Sequence, residues 1–261
     1  MLTRMTALSR QIARLYPLLF VIVVWQAAAN LGWVRPIFLP SFSSVVLKAR
    51  ALAGSGELWP PLFVSLYRAG AGLALAMVIG IPVGFLMARW RPVWRALDPL
   101  VAFAYPAPKL AFIPIFILWF GIDHLAKILL VAFSCTFPLI IAAYSGALTV
   151  SVRQIWAAQA MGTPPLTLFR RIIWPAALPS LMSGLRISIP LALLTAFTAE
   201  MVSGGGGLGG GLVLAQRYFE SETVFVYILT MLISGYVIDS LFLMARRWIL
   251  RWDESEAVSA G

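Results

Sequence analysis

The chain has 261 residues, 61% of them hydrophobic and only 11% charged, with a net charge of +10. A soluble domain carries about 25% charged residues, so this composition excludes an ordinary soluble fold and indicates one all-α integral membrane domain over residues 1–261. The positive charge does not indicate nucleic acid, because the arginines stand at the ends of apolar runs rather than on one soluble face.

A membrane-crossing helix needs about 20 apolar residues. Six runs qualify: Leu15–Val34, Leu62–Ala88, Leu97–Phe120, Leu125–Leu148, Leu178–Val202 and Val224–Met244. No run alternates with period two, which excludes a barrel. Arginines before the first run and Ala27, Ala28 and Ala29 within it resemble a signal-peptidase site. The apolar stretch continues through Leu31, Trp33 and Val34, so the run is read as an uncleaved span. A short helix over Ser44–Leu52, capped by Ser41 or Ser43, follows in the next loop.

With the N-terminus in the cytoplasm, twelve lysines and arginines fall in inner segments and five in outer ones. That asymmetry predicts both termini inside. Pro82, Pro106, Pro108, Pro114, Pro138 and Pro190 lie within spans, where proline marks kinks or broken helices. The cluster Pro106, Pro108 and Pro114 predicts that the third span begins as irregular chain near the centre of the bundle.

Residues 151–175 interrupt the apolar pattern. A helix is predicted over Val152–Met161, ended by Gly162 in the left-handed region. Thr163 is then the N-cap and Pro164 the first residue of a second helix. Leu166, Phe169, Ile172 and Ile173 share one face, and Arg170 and Arg171 can reach lipid headgroups beside them. Spacing alone leaves two readings: a helical pair presented to a partner, or an amphipathic helix lying on the membrane.

The pattern Ala157-Ala158, then Gly162, then Ile172-Ile173-Trp174-Pro175 resembles the EAA loop of permease subunits of ATP-binding-cassette importers. IFLPSFSSV, SLYRAGAGLALAMVIGIPVGFLMA, FIPIFILWFGI, RRIIWPAALPSLMSGLRI and AEMVSGGGGLG resemble the branch serving nitrate, aliphatic sulfonates and taurine. Other members of that branch carry bicarbonate, pyrimidine precursors, riboflavin and aromatic acids, so the branch does not fix the substrate.

The resemblance implies a type I importer permease fold in a bacterial inner membrane. It implies two permease copies, two ATPase subunits carrying ATP and Mg, and a periplasmic or extracellular binding protein that delivers a small anionic solute. It places coupling to the ATPase at Ala157, Ala158, Met161, Gly162 and Pro175. Two positions depart from the pattern: Trp156 stands where the loop usually has glutamate, and Trp174 where leucine is usual.

A carboxylate or ammonium within a span should face protein or water. Tyr105, Lys109 and Glu200 are therefore candidates for the translocation path. A structural hydrogen bond to a neighbouring helix or the glycine-rich segment is the other reading of Glu200. For Asp239 a structural pairing is expected, and for Arg68 a place at the outer mouth or among headgroups. Ser203–Gly211 reads SGGGGLGGG; it lacks the lysine and hydroxyl of a phosphate-binding loop and is expected to be a flexible outer loop. ATP hydrolysis is thus assigned to another chain. Cys135 and His124 are the only residues of their types, too few for a common zinc site or a disulfide. An ion-coupled secondary transporter is the rival reading, but it needs more central carboxylates and often inverted repeats.

Overall fold

The computed structural model describes residues 16–17 and 19–252. The predicted tail beyond Asp253 lies outside the described residues. The described chain is a helical bundle built on three long helices: α3 (Trp59–Arg89), α6 (His124–Leu148) and α9 (Trp174–Ser203). Before them come α1 (Leu19–Asn30) and α2 (Phe42–Ser55). Between α3 and α6 lie α4 (Arg91–Ala104), a 3-10 turn (Lys109–Phe112) and α5 (Ile113–Phe120). After α6 come α7 (Val152–Ala160), α8 (Pro165–Leu168) and a π turn (Phe169–Ile173) that leads into α9. The chain ends in α10 (Gly207–Arg217) and α11 (Ser221–Ile249).

Among the described residues four helices are long and apolar enough to cross a membrane, and the bent pair Arg91–Ala104 and Lys109–Phe120 makes a fifth if counted as one span. The predicted spans 62–88, 125–148, 178–202 and 224–244 fall on α3, α6, α9 and α11. The first predicted span begins partly outside the described residues; within them it is helical over Leu19–Asn30. The third is corrected. It is helical at its start, breaks over 105–108, and its halves meet at 92°. Pro106 and Pro108 lack the N–H groups that would continue the helix.

Close packing at the core comes from small residues. Gly72, Ala76, Gly80 and Gly84 repeat every fourth position along α3, which sets them on one face. A Cβ on Gly72 would stand 2.5 Å from the Cβ of Val131, and one on Gly80 would stand 2.8 Å from the Thr136 carbonyl oxygen. On Gly84 it would meet the carbonyl of Ile140. With little hydrophobic drive between helices in lipid, such contact is a main source of association. Across the other interface Gly184 lies against Ala142, and Gly146 against Ala177. Val131, Cys135 and Leu139 of α6 fill the space between α3 and α9 with Ala192, Leu193 and Ala196. Cys135 is fully buried, its thiol 3.4 Å from the Ser188 carbonyl.

An outer layer docks on this core. The hydroxyl of Ser41 caps α2, accepting from the Ser44 amide. The cap is the expected one, but the helix is longer than predicted. Trp25 of α1 donates to the Pro40 carbonyl at 2.9 Å and packs on Phe42 and Phe225, tying α1 to α2 and α11.

Candidate functional site

The helical pair at residues 151–175 is built by local chemistry. Ser151 and Gln154 close a capping box at the start of α7. Gly162 has φ +77° and ends α7, as expected, and the Thr163 amide returns to the Ala158 carbonyl. The second helix starts one residue later than predicted, with Pro164 as N-cap at ψ 152°. The following Pro165 disfavours the α region at Pro164, so the helix cannot begin there.

The two alanines of the loop point in different directions. Ala158 is 3% exposed and packs into the chain itself. Ala157 is exposed, as are Trp156 on the same short helix and Met161 at its C-cap. A small side chain thus stands between two large apolar ones, an open seat for another surface. Arg170 and Arg171, in the π turn further along, are exposed.

From Pro165 to Ser203 the chain is one continuous 39-residue helix. Pro175 lies inside it and cannot donate to the Arg171 carbonyl. The π turn just before it absorbs the misfit: the Trp174 amide bonds to the Phe169 carbonyl, five residues back. Phe85 at the end of α3 meets both Phe169 (5.1 Å, 80°) and Trp174 (5.7 Å, 32°). This triad clamps the loop to the core. Trp174, a departure from the usual loop pattern, is one of its three rings.

A second feature is a cleft of about 430 Å³ between α6 and α9. Tyr105 lines it from the break between α4 and α5, and Arg246 from α11. Ser145, Ser180 and Ser183 supply hydroxyls along its walls. Of the three residues proposed for the path, Tyr105 alone lines this cleft. Lys109 turns back into the break, where its ammonium donates to the Tyr105 carbonyl at 2.5 Å and lies 5.6 Å from the Tyr105 ring centroid. It thereby satisfies a carbonyl that the broken helix leaves free.

Glu200 lies elsewhere, fully buried at the far end of α9. Its carboxylate accepts from Arg68 at 2.8 Å, from the Ser65 hydroxyl at 2.7 Å and from the Gly209 amide at 3.0 Å. Arg68, expected at the outer mouth or among headgroups, is instead 1% exposed and also donates to the carbonyls of Gly205 and Gly206. The expected flexible loop is in fact this packed corner. Gly204, Gly205, Gly206 and Gly207 all have positive φ, and α10 begins at once. A side chain on Gly207 would run into the Glu200 carboxylate. Lys127, one of the five cations counted in outer segments, is 2% exposed and donates to the Ile122 carbonyl at 2.6 Å. Asp239 makes no ion pair among the described residues.

Residues 80–251 match the family model for "Binding-protein-dependent transport system inner membrane component". The chain belongs to that family. This permease is 35% identical to the putative aliphatic sulfonates transport permease SsuC of Escherichia coli, over 89% of each chain. It is 31% identical to the taurine transport system permease TauC of the same organism, over 94% of this chain and 91% of that one. Its fold is similar to a chain of the MetNI methionine ABC transporter in an inward-facing form, with TM-score 0.64 at 20% identity, over 74% of this permease and 98% of that chain. The permease is a multi-pass inner-membrane subunit and not an enzyme; ATP hydrolysis resides on a separate chain. The ion-coupled rival gives way to the importer reading.

Proposed function

We propose that this permease forms the path by which a small sulfonate-type anion enters the cell, energised by two ATPase subunits that hold ATP and Mg. The substrate class rests on the similarity to SsuC and TauC permeases. In this reading each ATPase receives α7 through Ala157, flanked by Trp156 and Met161. Gly162 sets the turn, and the continuous helix past Pro175 carries the motion into the core. The exposed seat on α7, clamped to α3 by Phe85 and Trp174, is the observation that carries the coupling role. Two copies of the permease face each other across the path, a closed twofold arrangement that one chain type can build. A binding protein delivers the anion from outside. Both termini and α7 lie in the cytoplasm, in line with the lysine and arginine asymmetry. Tyr105 lines the path; Lys109 and Glu200 support it by holding the break and the far end of α9.

Uptake of radiolabelled taurine or an alkanesulfonate into everted-system proteoliposomes, with binding protein and ATPase supplied, tests this. Uptake that needs ATP and persists when ionophores collapse ion gradients is expected. Uptake driven by an ion gradient without ATP would overturn the reading.

A further inference from the structure

Arg186 stands near the middle of α9, about 18 Å along the axis from Trp174 at 1.5 Å per residue. It is exposed and has no ion-pair partner among the described residues. Its side chain is far too short to reach either end of the helix. A guanidinium at such depth is disfavoured in lipid and belongs against water or an anion. Ser183 and Ile187, three residues before it and one after, line the cleft between α6 and α9. Residues three apart on a helix have Cβ atoms about 5–6 Å apart, so Arg186 borders that cleft beside Ser183. Arg246 lines the same cleft, with the hydroxyl-bearing Ser145, Ser180 and Tyr105. No aspartate or glutamate is among the described residues that line it.

Guanidinium groups match the planar, multi-oxygen face of an oxyanion, and hydroxyls add donors without charge. A cleft of one charge sign with apolar walls concentrates counter-ions. We propose that the cleft beside Arg186 and Ser183 is a transient binding site for a free small oxyanion of the sulfonate or nitrate kind. The site is on the permease itself, and it rests on the importer reading given above. It gives this subunit its own charge selection after the binding protein has released the solute.

The test is thiol labelling of the full chain in nanodiscs of zwitterionic phosphatidylcholine. Ser183→Cys is the reporter and Ser145→Cys, on the opposite wall, is the second; the buried Cys135 of the unaltered chain is the background control. Sulfonatoethyl methanethiosulfonate, itself an alkanesulfonate, is compared with its trimethylammonium counterpart. Each rate is divided by that reagent's rate on free glutathione. The normalised preference for the anion should be roughly tenfold, the lower end of what electrostatic focusing gives. Arg186→Met should reduce it to near unity and Arg186→Lys should restore it, and methanesulfonate or nitrate should slow the anionic reagent.

Absence of labelling at both cysteines, labelling without anionic preference, or a preference that survives Arg186→Met would each overturn the proposal. So would protection by added phosphatidylglycerol but not by free anions, which would assign Arg186 to lipid headgroups. Because the labelling needs no ATPase, its failure is separable from failure of the importer reading, which is judged on ATP-dependent uptake.

Discussion

Phe85, near the end of α3, and Trp174, the first residue of α9, lie with ring centroids 5.7 Å apart and planes tilted by 32°. Phe169 in the π turn closes the triangle, 5.1 Å from Phe85 and 6.1 Å from Trp174. The helical pair at residues 151–175 is thus held to the bundle by aromatic surface rather than by the chain alone. The π turn is thereby joined to α3, and α3 packs on α6 along the stripe at Gly72, Ala76, Gly80 and Gly84.

Trp174→Ala removes two of the three ring contacts. Aromatic pairs contribute about 0.5–1.5 kcal/mol each beyond their buried area. A loss of about 1–3 kcal/mol in detergent stability is expected, read as a lowered Tm. In reconstituted complexes ATP hydrolysis should persist while uptake per ATP falls. Trp174→Phe should recover most of both.

Gly162→Val places a β-branched residue at φ +77°. Left-handed backbone costs an L-residue roughly 1–2 kcal/mol, and branching raises that further. The turn between α7 and α8 should reshape. Membrane insertion, checked by blotting membranes, should be unchanged, while uptake should fall by about tenfold or more, the factor that 1.4 kcal/mol represents.

Glu200→Ala leaves the Arg68 guanidinium buried and without its carboxylate. Breaking a buried pair from one side typically costs about 3–5 kcal/mol. Thermal aggregation in mild detergent should therefore occur at a clearly lower temperature. The double variant Arg68→Met with Glu200→Met, which removes both charges, should be more stable than Glu200→Ala alone. If the single variant is as stable as the unaltered chain, the buried corner does not hold α3, α9 and α10 together.

Gly80→Leu inserts a side chain where even a Cβ would stand 2.8 Å from the Thr136 carbonyl oxygen. The neighbour is backbone, so α3 and α6 must separate. Overpacking of this kind costs about 1–3 kcal/mol. Gly70→Leu on the same helix, where a Cβ meets nothing within 4 Å, should cost far less.

How much of this was legible beforehand follows from which forces are local. Four spans were readable because a bilayer demands long apolar runs whatever the partners. The turn at Gly162 and the cap at Ser41 were readable because caps depend on a few adjacent residues. The break at Pro106 and Pro108 was announced by composition, but its 92° angle depends on packing of the halves and could not be read. Arg68 and Glu200 are 132 residues apart, and nothing in either neighbourhood names the other. The glycine run looked flexible because glycine permits many conformations; here neighbours select one, and α10 starts within it. Ala157 and Ala158 are identical in sequence terms, and only the fold separates the exposed one from the buried one. Trp174 registered as a departure from the loop pattern, and its purpose became visible once Phe85 was beside it.

The coupling role of α7 is the centre of the account, and copurification tests it most directly. The full chain, extracted from its native membrane in mild detergent, should bring down an ATPase subunit in equal amount, measured by quantitative mass spectrometry. Ala157→Trp should lose that subunit while the permease keeps its Tm, since Ala157 faces outward. Recovery of the permease without any ATPase, or full retention by Ala157→Trp, would contradict the assignment of α7 as the docking helix.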